Sequence, residues 1–350
     1  MTAVIASPQM TPSMNRGKGV WAAAATRFKT DHVGMASLVI VVLFLLLVLA
    51  SGVGLVAKDW QLERGVPDAP PTFIGPAPKT ESVAIAQPTG PNVDISAIDP
   101  LAPRYKEWAE AAKKYQTEAT VKSDTLPFGG DRLGRDVLAK AIKGAQVSIL
   151  VGVSAAVLAT LIGTLLGAVA GFFGGKVGDL LEWVYNVFTA VPGILLIFAF
   201  AAVFGRGIGS VVLILGLAGW TGIYRLVRAE FIKHANRDYV RSAEAIGASN
   251  ASRMFRHILP NVSHVVLVQL SIHVVGFIKS EVILSYLGLG VGVDQVSWGT
   301  MLSEAQSELI LGHWWQLAAA TIFMAVFVTA FSLMTDALRD ALDPKLRGLE

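Results

Sequence analysis

Six apolar runs, each long enough to cross a hydrocarbon core, constrain this chain more than any other feature. They cover residues 33–57, 147–173, 184–204, 208–227, 263–289 and 315–337. A ~30 Å core takes about 20 apolar residues in a helix. In lipid the backbone must satisfy its own polar groups, so runs of this length become helices. The chain therefore reads as an all-α membrane protein with six transmembrane helices. Composition agrees: 53% of the 350 residues are hydrophobic and 16% charged, against roughly 25% charged in a soluble domain. The absence of Cys excludes disulfides and thiolate metal sites.

Charge orients the spans. Arg16, Lys18, Arg27 and Lys29 precede the first run, Lys176 follows the second, and seven Lys/Arg crowd residues 225–256. Arg339, Lys345 and Arg347 follow the last run. The alternate loops offer only Arg206 in residues 205–209 and no Lys or Arg in residues 290–312. An even number of spans with both termini cytoplasmic puts every short basic loop inside the cell. The expected organisation is a cytoplasmic N-terminal segment 1–32, a first transmembrane helix 33–57 and an extracytoplasmic arm 58–143. A five-helix core 144–337, holding a cytoplasmic loop 229–261, and a cytoplasmic tail 338–350 complete it. The first run is about twice the length of a signal-peptide core and more spans follow it, which favours a retained anchor. The net charge of +3 follows from the basic loops and gives no argument for nucleic acid.

Residues 58–146 hold twelve Lys/Arg and twelve Asp/Glu, but loops this long translocate regardless of charge. Within them the Pro-rich stretch 62–103 reads as extended and loosely ordered. RYKEWAEAAKKYQTEATVK (104–122) reads as a short surface helix. The segment is either a spacer or a contact surface for an external partner. In the second span Ala155, Ala159, Gly163, Gly167, Gly171 and Gly175 recur every four residues, a ridge along which another helix can approach closely. That helix belongs either to this chain or to a partner. Pro192 predicts a kink in the third span. Trp220, Trp298, Trp314 and Trp315 stand near span ends, as interface anchors do.

Catalytic patterns are missing. GFFGGKV (171–177) has Ala170 where a phosphate loop needs Gly and Val177 where it needs Ser or Thr. The six His, at 32, 234, 257, 264, 273 and 313, have no metal-ligand spacing. Neither enzyme chemistry nor a cofactor is expected in this chain. The basic loop, in contrast, carries helix signals. Asp238 is placed to cap a helix over Tyr239–Ile246, Gly247 to close it in the left-handed conformation, and Ser249 to cap a second helix over Ala251–Leu259, with Pro260 marking entry to the next span. Tyr239, Val240, Ala243 and Ile246 form an apolar stripe. Such a stripe suits a partner's groove or anionic headgroups, and spacing alone leaves both open.

Gly247, followed after nine residues by His257-Ile258-Leu259-Pro260, resembles the EAA loop of ATP-binding-cassette importer permeases, EAA-x3-G-x9-I-x-L-P. Ala243, Gly247, Leu259 and Pro260 match. Arg241, Ser242 and His257 depart from the leading Glu, the first Ala and the Ile. PFGGDRLGRDVLAKAIKGAQVSI (127–149), SYLGLGVG with SWGTMLSEA (285–305) and DALRDALDP (336–344) are similar to the C-type permease subunit of the dipeptide/oligopeptide subfamily. The four blocks span most of residues 127–344 in family order and leave 58–126 uncovered.

This resemblance implies a type I importer permease with the core at 144–337. Its partners would be a second homologous permease, two cytoplasmic ATPase subunits and an extracytoplasmic substrate-binding protein, with the lipid bilayer around it. ATP and Mg would sit on the ATPase subunits, with no cofactor in this chain. Asp238, Tyr239, Ala243, Glu244, Ile246, Gly247, Leu259 and Pro260 would form the ATPase-coupling element. The cargo class would be peptides, with nickel, glutathione or a sugar as same-family alternatives.

Three ionisable residues interrupt the fifth span: His273, Lys279 and Glu281. Intramembrane charge is costly and usually faces a cavity or partner. They are therefore candidates for the translocation path. Counted along the helix, Glu281 falls near the outer surface, where snorkelling is the alternative. His273 is the weaker candidate, better read as a packed side chain. Two other classes compete with the importer reading. One is an ion-gradient-driven secondary transporter, which would show inverted repeats and mid-membrane carboxylates. The other is a membrane scaffold or sensor.

Overall fold

The computed structural model describes residues 20–76, 98–113 and 122–342. The expected segments 1–19, 77–97, 114–121 and 343–350 lie outside them, including Arg16, Lys18, Lys345 and Arg347. Two helices begin the chain, α1 (Val20–Thr30) and α2 (His32–Gly52). Asp31 separates them by accepting hydrogen bonds from the Val33 and Gly34 N–H groups, the usual N-cap geometry. A short α3 (Tyr105–Lys113) follows in the arm, then the long α4 (Val137–Phe173). Next come α5 (Gly175–Ala190), α6 (Gly193–Phe204), α7 (Ile208–Gly219), α8 (Thr221–Ala235) and α9 (Asp238–Ala245). The last described elements are α10 (Asn250–Ser252), α11 (Leu259–Tyr286), α12 (Trp298–Ile310) and α13 (Trp315–Leu342). No strand occurs among the described residues beyond isolated bridges.

Among the described residues four helices are long and apolar enough to cross a membrane, or six spans result if each of two bent pairs counts as one. α4 is the axis of the bundle: half of its apolar window is buried, against 17–22% for the other three long helices. Its ridge of small residues packs on α8 of the same chain. A Cβ on Gly163 would lie 2.5 Å from the Trp220 carbonyl oxygen, on Gly167 2.7 Å from that of Tyr224, and on Gly171 2.6 Å from that of Arg228. No side chain fits at these crossings, which answers which helix the ridge serves.

The third run departs from expectation. Instead of a kinked span 184–204, α5 and α6 meet at 89°. Val191 is extended (φ −97°, ψ 132°), as the residue before proline prefers, and Pro192 has ψ 128°. Two consecutive non-helical residues break the helix where one would bend it. The second span starts at Val137, ten residues ahead of its apolar run, because Asp136 caps it.

The described ends of the arm, 58–76 and 122–136, are more folded than its proline content suggested. Gly65 N–H donates to the Gly134 carbonyl, Val66 to that of Ser123 and Thr72 to that of Leu126, each at 2.9 Å. Residues 63–72 thus pair with residues 123–136, and Ala69 is fully buried. Prolines 70 and 71 suit this edge pairing because they need give no N–H. Within 104–122 the helix occupies Tyr105–Lys113. Trp220, Trp298 and Trp315 are buried, so they are not interface anchors. The indoles of Trp298 and Trp315 donate to the Ala141 and Gly130 carbonyls at 3.1 and 2.6 Å, which fixes them as packing elements.

Candidate functional site

The loop between α8 and α11 is built from local signals. Arg237, extended at φ −78° and ψ 149°, occupies the cap position of α9, and no side chain bonds there. Asp238 is therefore not the cap but the first helical residue, where its charge favours the helix N-terminus. At the other end Gly247 has φ +85°. Its N–H donates to the Glu244 carbonyl and that of Ala248 to the Ala243 carbonyl, at 2.9 and 3.0 Å. Those two bonds are the Schellman closure, which needs the left-handed residue in the middle. Ser249 caps the next helix by accepting from the Ser252 N–H.

The second loop helix does not stop at Leu259. It continues through a π-helical stretch, Arg253–Ile258, into α11. Pro260 lacks an N–H and its ring would clash with the carbonyl four residues back. Widening the preceding turn lets the Leu259 N–H reach the Met254 carbonyl instead and carries the helix past the proline.

The apolar stripe divides between two faces. Val240 and Ala243 are buried, and Val240 packs in a cluster with Phe231 of α8, Ala168 of α4 and Val262 of α11. Tyr239 is 38% and Ile246 85% exposed. Ala243 is therefore a tether within the chain and cannot belong to an outer face. Glu244 is engaged as well: its Oε1 accepts from Arg253 Nη1 at 2.9 Å, and the Arg253 guanidinium lies 5.2 Å from the Phe172 ring centre. His234 Nδ1 stands 2.8 Å from the Tyr239 hydroxyl. Leu259 is half-buried and Pro260 exposed. The outcome is a short helix locked to three long ones, with Tyr239, Ile246 and Gly247 at its outer edge.

The three candidates in α11 do not converge. Glu281 is fully buried and does not snorkel. Its two carboxylate oxygens accept from Ser148 of α4 and Ser285, each at 2.6 Å, and Ser148 Oγ also accepts the Trp298 N–H at 3.2 Å. The reason is partner geometry: α4 passes beside α11 and supplies a hydroxyl at this height. His273 stacks on Phe277 at 5.3 Å and contacts Gln269. Lys279 is exposed, with no hydrogen bond or ion pair among the described residues.

A second polar cluster, absent from the expectations, lies at the end of α4 away from the loop. Lys140, almost fully buried, donates to Asp131 at 2.7 Å, Glu304 at 2.6 Å and Gln316 at 3.1 Å. Arg135 adds a 2.6 Å ion pair to Asp131. Burial pushes the Asp131 carboxyl up, but Lys140 and Arg135 outweigh it and hold it below the ordinary carboxylate value. Beside them burial drives the Glu308 carboxyl up to about 7, although it accepts the Arg132 N–H and feels Lys140. The resemblance blocks 127–149 and 285–305 supplied most of these residues; their proximity was the missing signal.

The fold defines the class first: an integral membrane protein, helical throughout its described spans, that turns around a structured loop. Residues 163–348, more than half of the chain, match the family of binding-protein-dependent transport system inner membrane components. The dipeptide transport system permease protein DppC of Bacillus subtilis is 36% identical over 220 residues, 63% of this chain and 69% of that protein. The oligopeptide transport system permease protein OppC of the same organism is 33% identical over 238 residues, 67% of this chain and 78% of the relative. The glutathione transport system permease protein GsiD of Escherichia coli is 39% identical over 222 residues, 63% and 73% respectively. The chain belongs to the family of binding-protein-dependent transport system inner membrane components. It is a permease subunit of an ATP-binding-cassette importer, a transport subunit and not an enzyme, and the family implies ATPase subunits and a substrate-binding protein as partners.

Proposed function

We propose that this chain conducts peptides inward across the cytoplasmic membrane as one of two homologous permeases. Each bent pair counts as a single span, giving six, with both termini cytoplasmic and residues 58–143 outside. Two ATPase subunits hold ATP and Mg, and an external binding protein delivers cargo. α9 acts as the coupling helix: Tyr239, Ile246 and Gly247 meet the ATPase groove, while Val240 and Ala243 transmit its movement to α4, α8 and α11. The observation that carries this reading is the division of the α9 stripe into a buried tether and an exposed edge. A headgroup-binding hairpin would keep its apolar side outward. ATPase closure then tilts the bundle between outward- and inward-facing states.

In this reading the exposed side of α11 with Lys279, and His273 on its flank, lines the path, whereas burial removes Glu281 from it. The peptide relatives support the cargo class, and the glutathione permease supports γ-linked tripeptides as a second cargo. Reconstitution of the permease pair, ATPases and binding protein in liposomes tests the reading. Labelled peptide uptake should require both ATP and binding protein. Uptake driven by an ion gradient without ATP would overturn it.

A further inference from the structure

At the end of the bundle opposite the coupling loop, a cavity of about 310 Å³ opens among α7, α11 and α12. That volume is at the small end of ligand sites. Its lining includes Arg132, Arg206, Gly288, Thr300, Ser303 and Glu304. Arg206 sits in the turn before α7, between Gly205 (φ +72°) and Gly207 (φ +143°). The Gly207 N–H donates to the Gly290 carbonyl at 3.0 Å, which fastens that turn to the loop after α11. The fastening brings the Arg206 guanidinium against Gly288, where a Cβ would stand 3.7 Å from Nη2.

The charge balance of this cavity is one-sided. Glu304 is already held by the buried Lys140, and Asp131 is shared by Lys140 and Arg135. Those four groups neutralise one another. The guanidinium groups of Arg132 and Arg206 have no ion pair or hydrogen bond among the described residues. Asp294, in the nearby loop, does not line the cavity, and its Oδ2 accepts from Gln295. Two uncompensated guanidinium groups therefore face one small space. Arg206 is also the sole cation in the two short loops of that side, 205–209 and 290–312, the reverse of what orientation needs there.

We infer that this cavity is a carboxylate subsite at the outer mouth, where Arg132 and Arg206 take the C-terminal carboxylate of an incoming peptide before it enters the bundle. The inference rests on the importer reading and its orientation. Guanidinium is the side chain that pairs with a planar carboxylate through two parallel N–H donors. The Ser303 hydroxyl and the cavity's small volume suit the peptide's terminal unit more than a folded surface.

Arginine footprinting tests this on the solubilised, assembled transporter without binding protein. Phenylglyoxal modification of Arg132 and Arg206, read by mass spectrometry, should be slowed by alanyl-phenylalanine and not by its C-terminal amide. Protection by neither peptide, or by both equally, overturns the subsite. Protection only on adding binding protein also overturns it and assigns the arginines to docking. In liposomes, the Arg132→Gln and Arg206→Gln double variant should lower free-peptide uptake roughly tenfold at saturating binding protein, as loss of charge-assisted bonds does. The concentration of binding protein for half-maximal uptake should stay unchanged, and replacing both positions by Lys should restore part of the rate. Unchanged uptake, or uptake restored by more binding protein, would contradict the inference. Failure of the importer reading looks different: the unsubstituted assembly would then take up no peptide, whatever the footprint.

Discussion

The two ends of α4 are held by opposite means. Near Val137 the bundle is fastened by buried charge, with Lys140 bonded to Asp131, Glu304 and Gln316 and Glu281 bonded to Ser148 and Ser285. Near Phe173 it is fastened by apolar packing, with Val240, Met254 and Ile258 against Val227 and Phe231. Buried ion pairs demand one geometry and are costly to break, so they fix how α4, α12 and α13 register. Apolar contacts are non-directional and tolerate a shift between packed helices. On the proposed orientation the rigid end would be the mouth that receives cargo, and the compliant end would carry the helix that a partner moves.

Breaking the charged end should have the largest effect. Lys140→Met removes the buried one of the two cations that Asp131 and Glu304 share, leaving Arg135, and should cost about 3 kcal/mol, the low end for a broken buried pair, seen as a fall in the melting temperature of the purified chain. Retained thermal stability would remove the distinction between the ends. At the other end, Gly247→Ala forces a side chain into φ +85°, a cost of about 1–2 kcal/mol confined to the loop. The bundle should melt as before while ATPase activity uncouples from uptake. Glu308→Gln should act mainly through pH. With its folded pKa raised from 4.5 to about 7, the folded state holds the proton more tightly than the unfolded chain. That stability is complete below about pH 4.5 and lost as pH rises through 7. The variant should melt at the same temperature at pH 5.5 and 8, where the parent loses stability on going to pH 8. The smallest effect on stability belongs to Ile246→Ser, within about 0.5 kcal/mol because the side chain is exposed, while binding of the ATPase subunits weakens.

How legible these ends were in sequence follows the range of the interactions. The loop's closure at Gly247 and its cap at Ser249 depend on neighbours within four residues, so both could be read in advance. The burial of Val240 could not, since Tyr239 and Ile246 belong to the same apolar stripe and only packing in the cluster with Phe231 chooses between them. Pro192 marked a disturbance, but its size depended on Val191 also leaving the helix. The burial of Glu281 was not legible, because distance along one helix says nothing of Ser148, 133 residues away in the chain. Lys140 and its acids were visible as residues of a resemblance block, yet their meeting required α12 and α13 to fold back on α4. Helix existence was local; the meaning of each buried charge was not.

The central claim is that Ile246 faces an ATPase while Val240 faces its own chain. The chain has no Cys, so single-cysteine variants carrying a benzophenone maleimide report each position separately. In membranes holding the assembled transporter, Ile246→Cys should label readily and crosslink to an ATPase subunit on illumination. Val240→Cys should remain unlabelled until the protein is denatured. An Ile246→Cys probe that crosslinks only to lipid, or a Val240→Cys probe that labels freely and crosslinks to the ATPase, would contradict the account.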